Sequence, residues 1–306
     1  MRPPPAEGHG GSIVTTSALA GGRGLAADYV ELSKPRITLM VTLTALVGYV
    51  LGARGPLSGP HLAATLFGTA LVAAGASALN MLLERRTDAL MLRTRARPLP
   101  SGRLRPTEAL ASGLALTSTG LCALAWLAGP LAALVALVTW ASYLFLYTPL
   151  KPRTSFSTVV GAFPGALPPV IGWAAARGTL EPGAFVLFAI LFLWQIPHFL
   201  AIAWIYRDDY ARGGLPMLPV LDPDGRITGR QAVANSLALL VVSLTPTAAG
   251  LAGPVYLAGA IVLGLGFSAV AVWAAAARTL RVARFLFLAS LVYLPAVCAL
   301  LLLDRR

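Results

Sequence analysis

Nine apolar blocks, most of them near the ~20 residues that one helix needs to cross a bilayer, constrain this chain more than any other feature. They run over roughly 37–53, 61–83, 107–128, 130–148, 157–176, 183–206, 231–250, 254–277 and 283–303. Inside hydrocarbon every backbone amide has to be paired within the protein, which restricts spanning segments to helices or closed barrels. Blocks of this length, without polar alternation, are helices. Only 12% of the 306 residues are charged, about half the share usual for a water-soluble chain. The expected fold is therefore all-α, a polytopic membrane bundle of nine transmembrane helices.

A net charge of +12 raises the question of nucleic acid, and the distribution of charge answers it. With alternate loops assigned to opposite faces of the membrane, twenty of the twenty-four basic residues fall on one side. Arg54, Arg177, Arg305 and Arg306 are the four on the other. That asymmetry is the positive-inside bias, not a nucleic-acid footprint. It predicts a cell-membrane protein with its N-terminus in the cytoplasm and its C-terminus outside. Ten of the twelve acids share the basic side, so the polar machinery is expected to open toward the cytoplasm. Residues 1–26 are rich in Pro and Gly, with no apolar run long enough for a signal peptide. They read as a disordered cytoplasmic tail, and residues 27–306 as a single intramembrane domain. Cys122 and Cys298 sit in apolar spans without metal-ligand spacing and read as small buried hydrophobes.

The second span ends in "NMLLERRTDAL". On a helix Asn80, Glu84 and Asp88 stand at i, i+4 and i+8 and project from one face. Each ionisable group facing lipid near the centre would cost about 2.5–3.5 kcal/mol, so the acids must meet a polar cavity or the membrane boundary. One reading is an ordinary helix end at the headgroups, with the acids paired to Arg85 and Arg86. The other is a site for a hard divalent cation, because Mg2+ takes oxygen ligands from one or two carboxylates plus substrate phosphates. The next segment carries Arg93, Arg95, Arg97 and Arg103, and guanidinium groups grip phosphate oxygens as a fork. Acid face, metal and arginines together describe a diphosphate site.

Span six runs into a similar loop, where Asp208 and Asp209 are flanked by Arg207 and Arg212. Both motifs end spans on the same side, so their carboxylates could converge. Tyr147 and Lys151, at i and i+4, could add a phenol and an ammonium to the site, or else be an interfacial Tyr and a snorkelling Lys. The Gly/Pro run from Gly161 to Gly172 is expected to kink span five. His198 is the histidine placed within a span. It is either a hydrogen-bonded packing residue or a group that binds a large substrate, as an iron ligand or proton carrier.

Several ordered stretches carry a family resemblance: "LSKPRITLMVTLTALVGY", "NMLLERRTDALMLRTRARPL", "YTPLKPRT", "GALPPVIGW", "PHFLAIA" and "DYARGGLPMLP". They resemble the UbiA-type intramembrane prenyltransferases and, among them, the haem O synthase (protohaem IX farnesyltransferase) family. The likeness runs from about Leu32 to Val220. It implies nine helices around a central cavity, and transfer of a farnesyl group from farnesyl diphosphate to the 2-vinyl group of haem B. Water adds, giving haem O, and haem A synthase is the implied partner downstream. It further implies Mg2+ as cofactor and catalytic roles for Asn80, Glu84, Asp88, Asp209 and Lys151. The implied metal ligands are Asn80, Glu84, Asp88 and Asp209, with Asp208 as a substitute because Ile205 stands where relatives often have Asp. Diphosphate contacts are implied for Arg36, Arg93, Arg97, Tyr147, Lys151 and Arg153, and haem binding for His198. Pro152 and Ser157 depart from the family pattern, which commonly has Arg and Asn there. Two other readings compete: a UbiA-type enzyme for an aromatic or quinone-precursor acceptor, and a secondary transporter with acids at the midplane.

Overall fold

Prolines and glycines punctuate the helices. The computed structural model describes residues 24–306. Residues 1–23 of the expected tail lie outside the described residues, and Leu25 and Ala26 already belong to the first helix. That helix, α1 (Leu25–Leu32), leads through Lys34 into α2 (Pro35–Gly52). There follow α3 (Gly59–Leu90), α4 (Pro106–Ala123) and α5 (Pro130–Ala141), the last prolonged by a π-helical stretch over Ser142–Tyr147 and by α6 (Thr148–Leu150). Next come α7 (Ser157–Ala166), α8 (Pro168–Arg177), α9 (Pro182–Ile205), α10 (Arg207–Arg212) and α11 (Leu218–Leu221). The chain closes with α12 (Arg226–Val242), α13 (Thr245–Ala248), α14 (Pro254–Ala277) and α15 (Leu280–Leu303). In α2 to α5, α9 and α14 a proline occupies the first turn, where its missing N–H costs nothing. Among the described residues nine helical segments are long and apolar enough to cross a membrane.

Span boundaries differ from the hydropathy reading where charge begins before the helix ends. The second span continues to Leu90 and has 32 residues, about 48 Å of helix against a hydrocarbon core of about 30 Å. Its last turns therefore project beyond the apolar layer carrying Asn80, Glu84 and Asp88 still in helical register. Span five is broken as expected: α7 stops at Ala166 and α8 restarts at Pro168. Gln195 of α9 donates to the Ala162 carbonyl beside this break.

Close backbone approach welds α2 to α8. A Cβ on Gly48 would lie 1.9 Å from the Pro169 carbonyl oxygen, and one on Gly172 would lie 1.9 Å from that of Ala45. Small residues at such crossings are how membrane helices gain packing without a hydrophobic drive from water. A separate small core of Met91, Ala203, Tyr210, Leu215 and Met217 ties the end of α3 to the end of α9. This packing brings the two charged motifs to one end of the bundle.

Candidate active site

The polar face of α3 meets a cation at every turn. Asn80 is buried; its Oδ1 accepts from Lys34 Nζ at 2.8 Å, and its Nδ2 donates to Thr148 Oγ1 at 3.1 Å. One turn on, both oxygens of Glu84 accept from Lys151 Nζ, at 2.9 and 3.0 Å. After another turn, Asp88 Oδ2 accepts from Arg97 Nη1 at 2.7 Å. Asp88 is 1% exposed, and its second oxygen, Oδ1, is buried with no hydrogen-bond partner among the described residues. A buried carboxylate oxygen left unpaired costs about 1–3 kcal/mol or more, so the lone pairs of Oδ1 are free to meet a cation.

Each cation comes from a different element. Lys34 sits between α1 and α2 with φ 47° and ψ 63°, left-handed backbone that costs a lysine about 1–3 kcal/mol. Its position directly before Pro35 already disfavours the right-handed helical region, and the bond to Asn80 holds the turn. Burial, then the nearby Arg97 charge, pull the Lys34 ammonium down to about 8. Lys151 follows α6, one turn after Tyr147, whose ring lies 5.9 Å from its ammonium. The π-helical stretch before α6 shifts the register of all that follows, and the shifted register aims Thr148 at Asn80 and Lys151 at Glu84. Arg97 belongs to the loop after α3.

Asp209 holds that loop in place. Its Oδ1 accepts from the backbone N–H of Leu92 and its Oδ2 from that of Arg93, both at 3.0 Å, while Arg212 bonds Oδ1 from one turn along α10. Burial works against its charge, but the Arg212 hydrogen bond and the two amides outweigh it and hold the carboxyl below the usual range. Arg93, so anchored, lays its guanidinium over the rings of Tyr206 and Tyr210, at 5.1 and 5.9 Å. The far end of the loop is tied by Arg103 to Asp28 and Glu31 of α1.

The structure therefore brings Asn80, Glu84, Asp88, Lys151 and Arg97 together, with Tyr147 and Arg93 alongside. Asp209 joins them through the loop backbone. Other candidates stand apart. Asp208 is exposed, with Arg207 3.7 Å from its carboxylate, so it does not stand in for the missing acid at Ile205. Arg36 and Arg153 are exposed. Lys34, two residues before Arg36, is the cation of that stretch that enters the cluster, and the sequence reading missed it. The signal was present in "SKPR", a basic residue before a helix-starting proline. His198 lies elsewhere, between α9 and α15, with its Nδ1 2.7 Å from Ser290 Oγ. Among the described residues no three His, Cys, Asp or Glu side chains form a ready metal cage.

A long helix that carries an amide and two carboxylates on one face, each against a cation, suits a diphosphate and its counter-ion. The family model for the UbiA prenyltransferase family matches residues 41–299. The chain belongs to that family. UbiA relatives similar to it include a protein named protoheme IX farnesyltransferase from Solibacter usitatus, 50% identical over 288 residues, which are 91% of this chain and 98% of the relative. Another of the same name, from Opitutus terrae, is 45% identical over 281 residues, 91% of this chain and 95% of the relative. The UbiA fold is seen again in a solved structure from work on digeranylgeranylglyceryl phosphate synthase, with TM-score 0.77, 15% identity and coverage of 91% of this chain and 98% of that one. A UbiA homolog from Archaeoglobus fulgidus bound to GPP and Mg2+ superposes with TM-score 0.65 at 18% identity, covering 90% of this chain and 99% of that one. The chain is thus a multi-pass membrane protein of the UbiA family.

Proposed function

We propose that this protein farnesylates haem B at a vinyl group, with addition of water, to give haem O and diphosphate. The observation that carries the chemistry is the α3 face, where Lys34, Arg97 and Lys151 are gathered within bonding distance of Asn80, Asp88 and Glu84. The acceptor is supported by relatives of up to 50% identity that bear the name protoheme IX farnesyltransferase. Bacterial relatives and the basic-loop asymmetry support a place in the cytoplasmic membrane with the site opening to the cytoplasm.

The donor set fits Mg2+: the unpartnered Asp88 Oδ1, the Glu84 carboxylate and the Asn80 amide oxygen are hard oxygen ligands on one helix face. Asp88, Glu84 and Asn80 would hold the ion, with phosphate oxygens of the substrate, and Asp209 would serve by fixing the loop that closes over them. When bound, Mg2+ supplies charge neutralisation to the departing diphosphate. Lys151 and Arg97 turn from their carboxylates, and Lys34 from the Asn80 amide oxygen, to the phosphate oxygens, and Arg93 approaches from the loop. These charges act most strongly as the carbon–oxygen bond breaks and its electron pair leaves with the diphosphate. The allylic cation is taken by the vinyl double bond of haem, and water adds to the cation that results and loses a proton to solvent, leaving the hydroxyl. Apolar helix faces below the cluster keep water from the allylic carbon until that bond has formed.

The test is incubation of membranes containing the protein with haem B, farnesyl diphosphate and Mg2+, then chromatography of extracted haems. A later-eluting farnesylated haem is expected from wild type and not from Asp88→Asn or Glu84→Gln. Consumption of farnesyl diphosphate with an aromatic acid or quinone precursor, and none with haem, would replace the acceptor.

A further inference from the structure

A second recess lies at the same end of the bundle as the diphosphate cluster, but other helices wall it and none of the cluster's residues lines it. It holds about 360 Å³ of space, part of it open to the outside, between the end of α9, the start of α12, the end of α14 and the start of α15. Leu200, Ala232, Ala274 and Leu286 give it apolar walls. Two close approaches shape it. A Cβ on Gly229 would lie 2.8 Å from Ala275 Cα, so α12 and α14 touch along one side. On another side the Trp204 ring rests against Gly225, where a Cβ would lie 2.3 Å from it.

The mouth of the recess is cationic. Arg278, directly after α14, reaches across it: Nε donates to the Ala275 carbonyl at 3.2 Å and Nη1 to the Asp224 carbonyl at 3.4 Å, while Nη2 makes no hydrogen bond among the described residues. Its backbone has φ 48° and ψ 34°, the left-handed conformation that helix ends usually give to Gly or Asn. An arginine there carries a conformational cost that glycine would not. Arg207 places its guanidinium 5.4 Å from the Trp204 ring. Arg226 and Arg230 on the first turns of α12, and Arg281 and Arg284 on those of α15, are exposed. Neither they nor Arg278 form an ion pair among the described residues. Of the acids next to α12, Asp222 is taken up by the N–H and hydroxyl of Thr228, and Asp224 is exposed. Because α12 and α15 both begin at the mouth, the positive ends of their dipoles add to the charge. The positive-inside bias accounts for arginines at this end of the bundle. It does not account for an apolar recess that opens beneath them.

We propose that this recess binds one anionic phospholipid of the adjoining leaflet, its acyl chain against the apolar walls and its phosphate at Arg278. Basic pockets between membrane helices are a recurrent seat for such headgroups. A zwitterionic lipid brings a cation of its own and loses the advantage of charge. Bound there, the lipid bridges four helices, and the site is independent of which acceptor the diphosphate chemistry uses.

The experiment uses the full-length protein, delipidated in detergent and titrated with phosphatidylglycerol, phosphatidylcholine of the same chains, or glycerol phosphate. Native mass spectrometry and thermal melting are the readouts. Wild type should retain one phosphatidylglycerol about 10-fold or more tightly than phosphatidylcholine, and of the three only phosphatidylglycerol should raise the melting temperature appreciably. Arg278→Gly suits the left-handed position, so the lipid-free variant should melt no lower than wild type, while its preference for the anionic lipid falls about 5-fold. Phosphatidylglycerol with brominated chains, at one bound lipid, should quench the tryptophan fluorescence of wild type more than that of Trp204→Phe. Equal binding of the two lipids by wild type, an unchanged preference in Arg278→Gly, or equal quenching in the two proteins overturns the site. Equal stabilisation by glycerol phosphate makes it a site for a soluble phosphate and overturns the lipid.

Discussion

At the scale of single residues, the site is a set of carboxylates with their charges already spoken for. Glu84 and Lys151 are each about a tenth exposed, so removing one leaves the other charged, desolvated and alone. Lys151→Ala should therefore cost about 3–5 kcal/mol of stability as well as activity. The double variant Glu84→Gln/Lys151→Met should regain most of the stability and none of the activity. Thermal melts in detergent beside the haem assay separate the two effects. Lys34 gives a pH signature. Its ammonium is lowered from 10.5 to about 8, chiefly by burial. Between those values the unfolded chain holds the proton that the folded chain has lost, so this residue's contribution to stability rises with pH. Its charge for phosphate goes the other way and is lost as pH rises through about 8. kcat/KM for farnesyl diphosphate, which reports the free enzyme, should fall above that pH in wild type. Lys34→Arg should remove the fall, and a profile equally steep in that variant would dismiss Lys34 as a phosphate ligand.

At the scale of elements, two irregularities do the positioning. The π-helical turn over Ser142–Tyr147 re-aims Thr148 and Lys151, and the glycine crossing sets how closely α2, which follows directly on Lys34, lies against α8. Neither Pro169 nor Ala45 can yield, because the atoms that a methyl group would meet are backbone. Gly48→Ala and Gly172→Ala should each lower stability by about 3 kcal/mol or more, at the upper end of overpacking costs. Gly266→Ala meets open space and should stay within about 0.5 kcal/mol of wild type, which makes it the control. The broken fifth span was legible from its prolines. Hydropathy alone ends the second span before Glu84; the spacing of Asn80, Glu84 and Asp88 carried the helix further, but the bonds of that face to Lys34, Lys151 and Arg97 were not legible.

Across the whole molecule, charge asymmetry predicts the orientation, and a departing diphosphate predicts a need for metal. A cysteine at Ser101, in the basic loop after α3, should be labelled by a membrane-impermeant thiol reagent only after cells are opened. One at Gly55, in the loop between α2 and α3, should be labelled in intact cells. The reverse pattern would invert the proposed topology. Chelation should abolish farnesyl transfer, and Mg2+ should restore it; transfer that persists in chelator would remove the metal from the proposal.

The all-α class and the nine spans among the described residues could be read from the sequence, because these depend on hydropathy summed along continuous segments; the sidedness of the loops is predicted from charge. Sequence also marked Asn80, Glu84 and Asp88 as one face, because helical period is local. Tertiary structure alone decided which cation meets which oxygen: Lys34 and Asn80 are 46 positions apart, Lys151 and Glu84 67, Asp209 and Leu92 117. It likewise decided that Lys34 rather than Arg36 enters the cluster and that Asp208 turns outward. Such pairings depend on which helices are neighbours and at what rotation. Glycine contacts and a register-shifting π turn set that, and no window of sequence contains both partners.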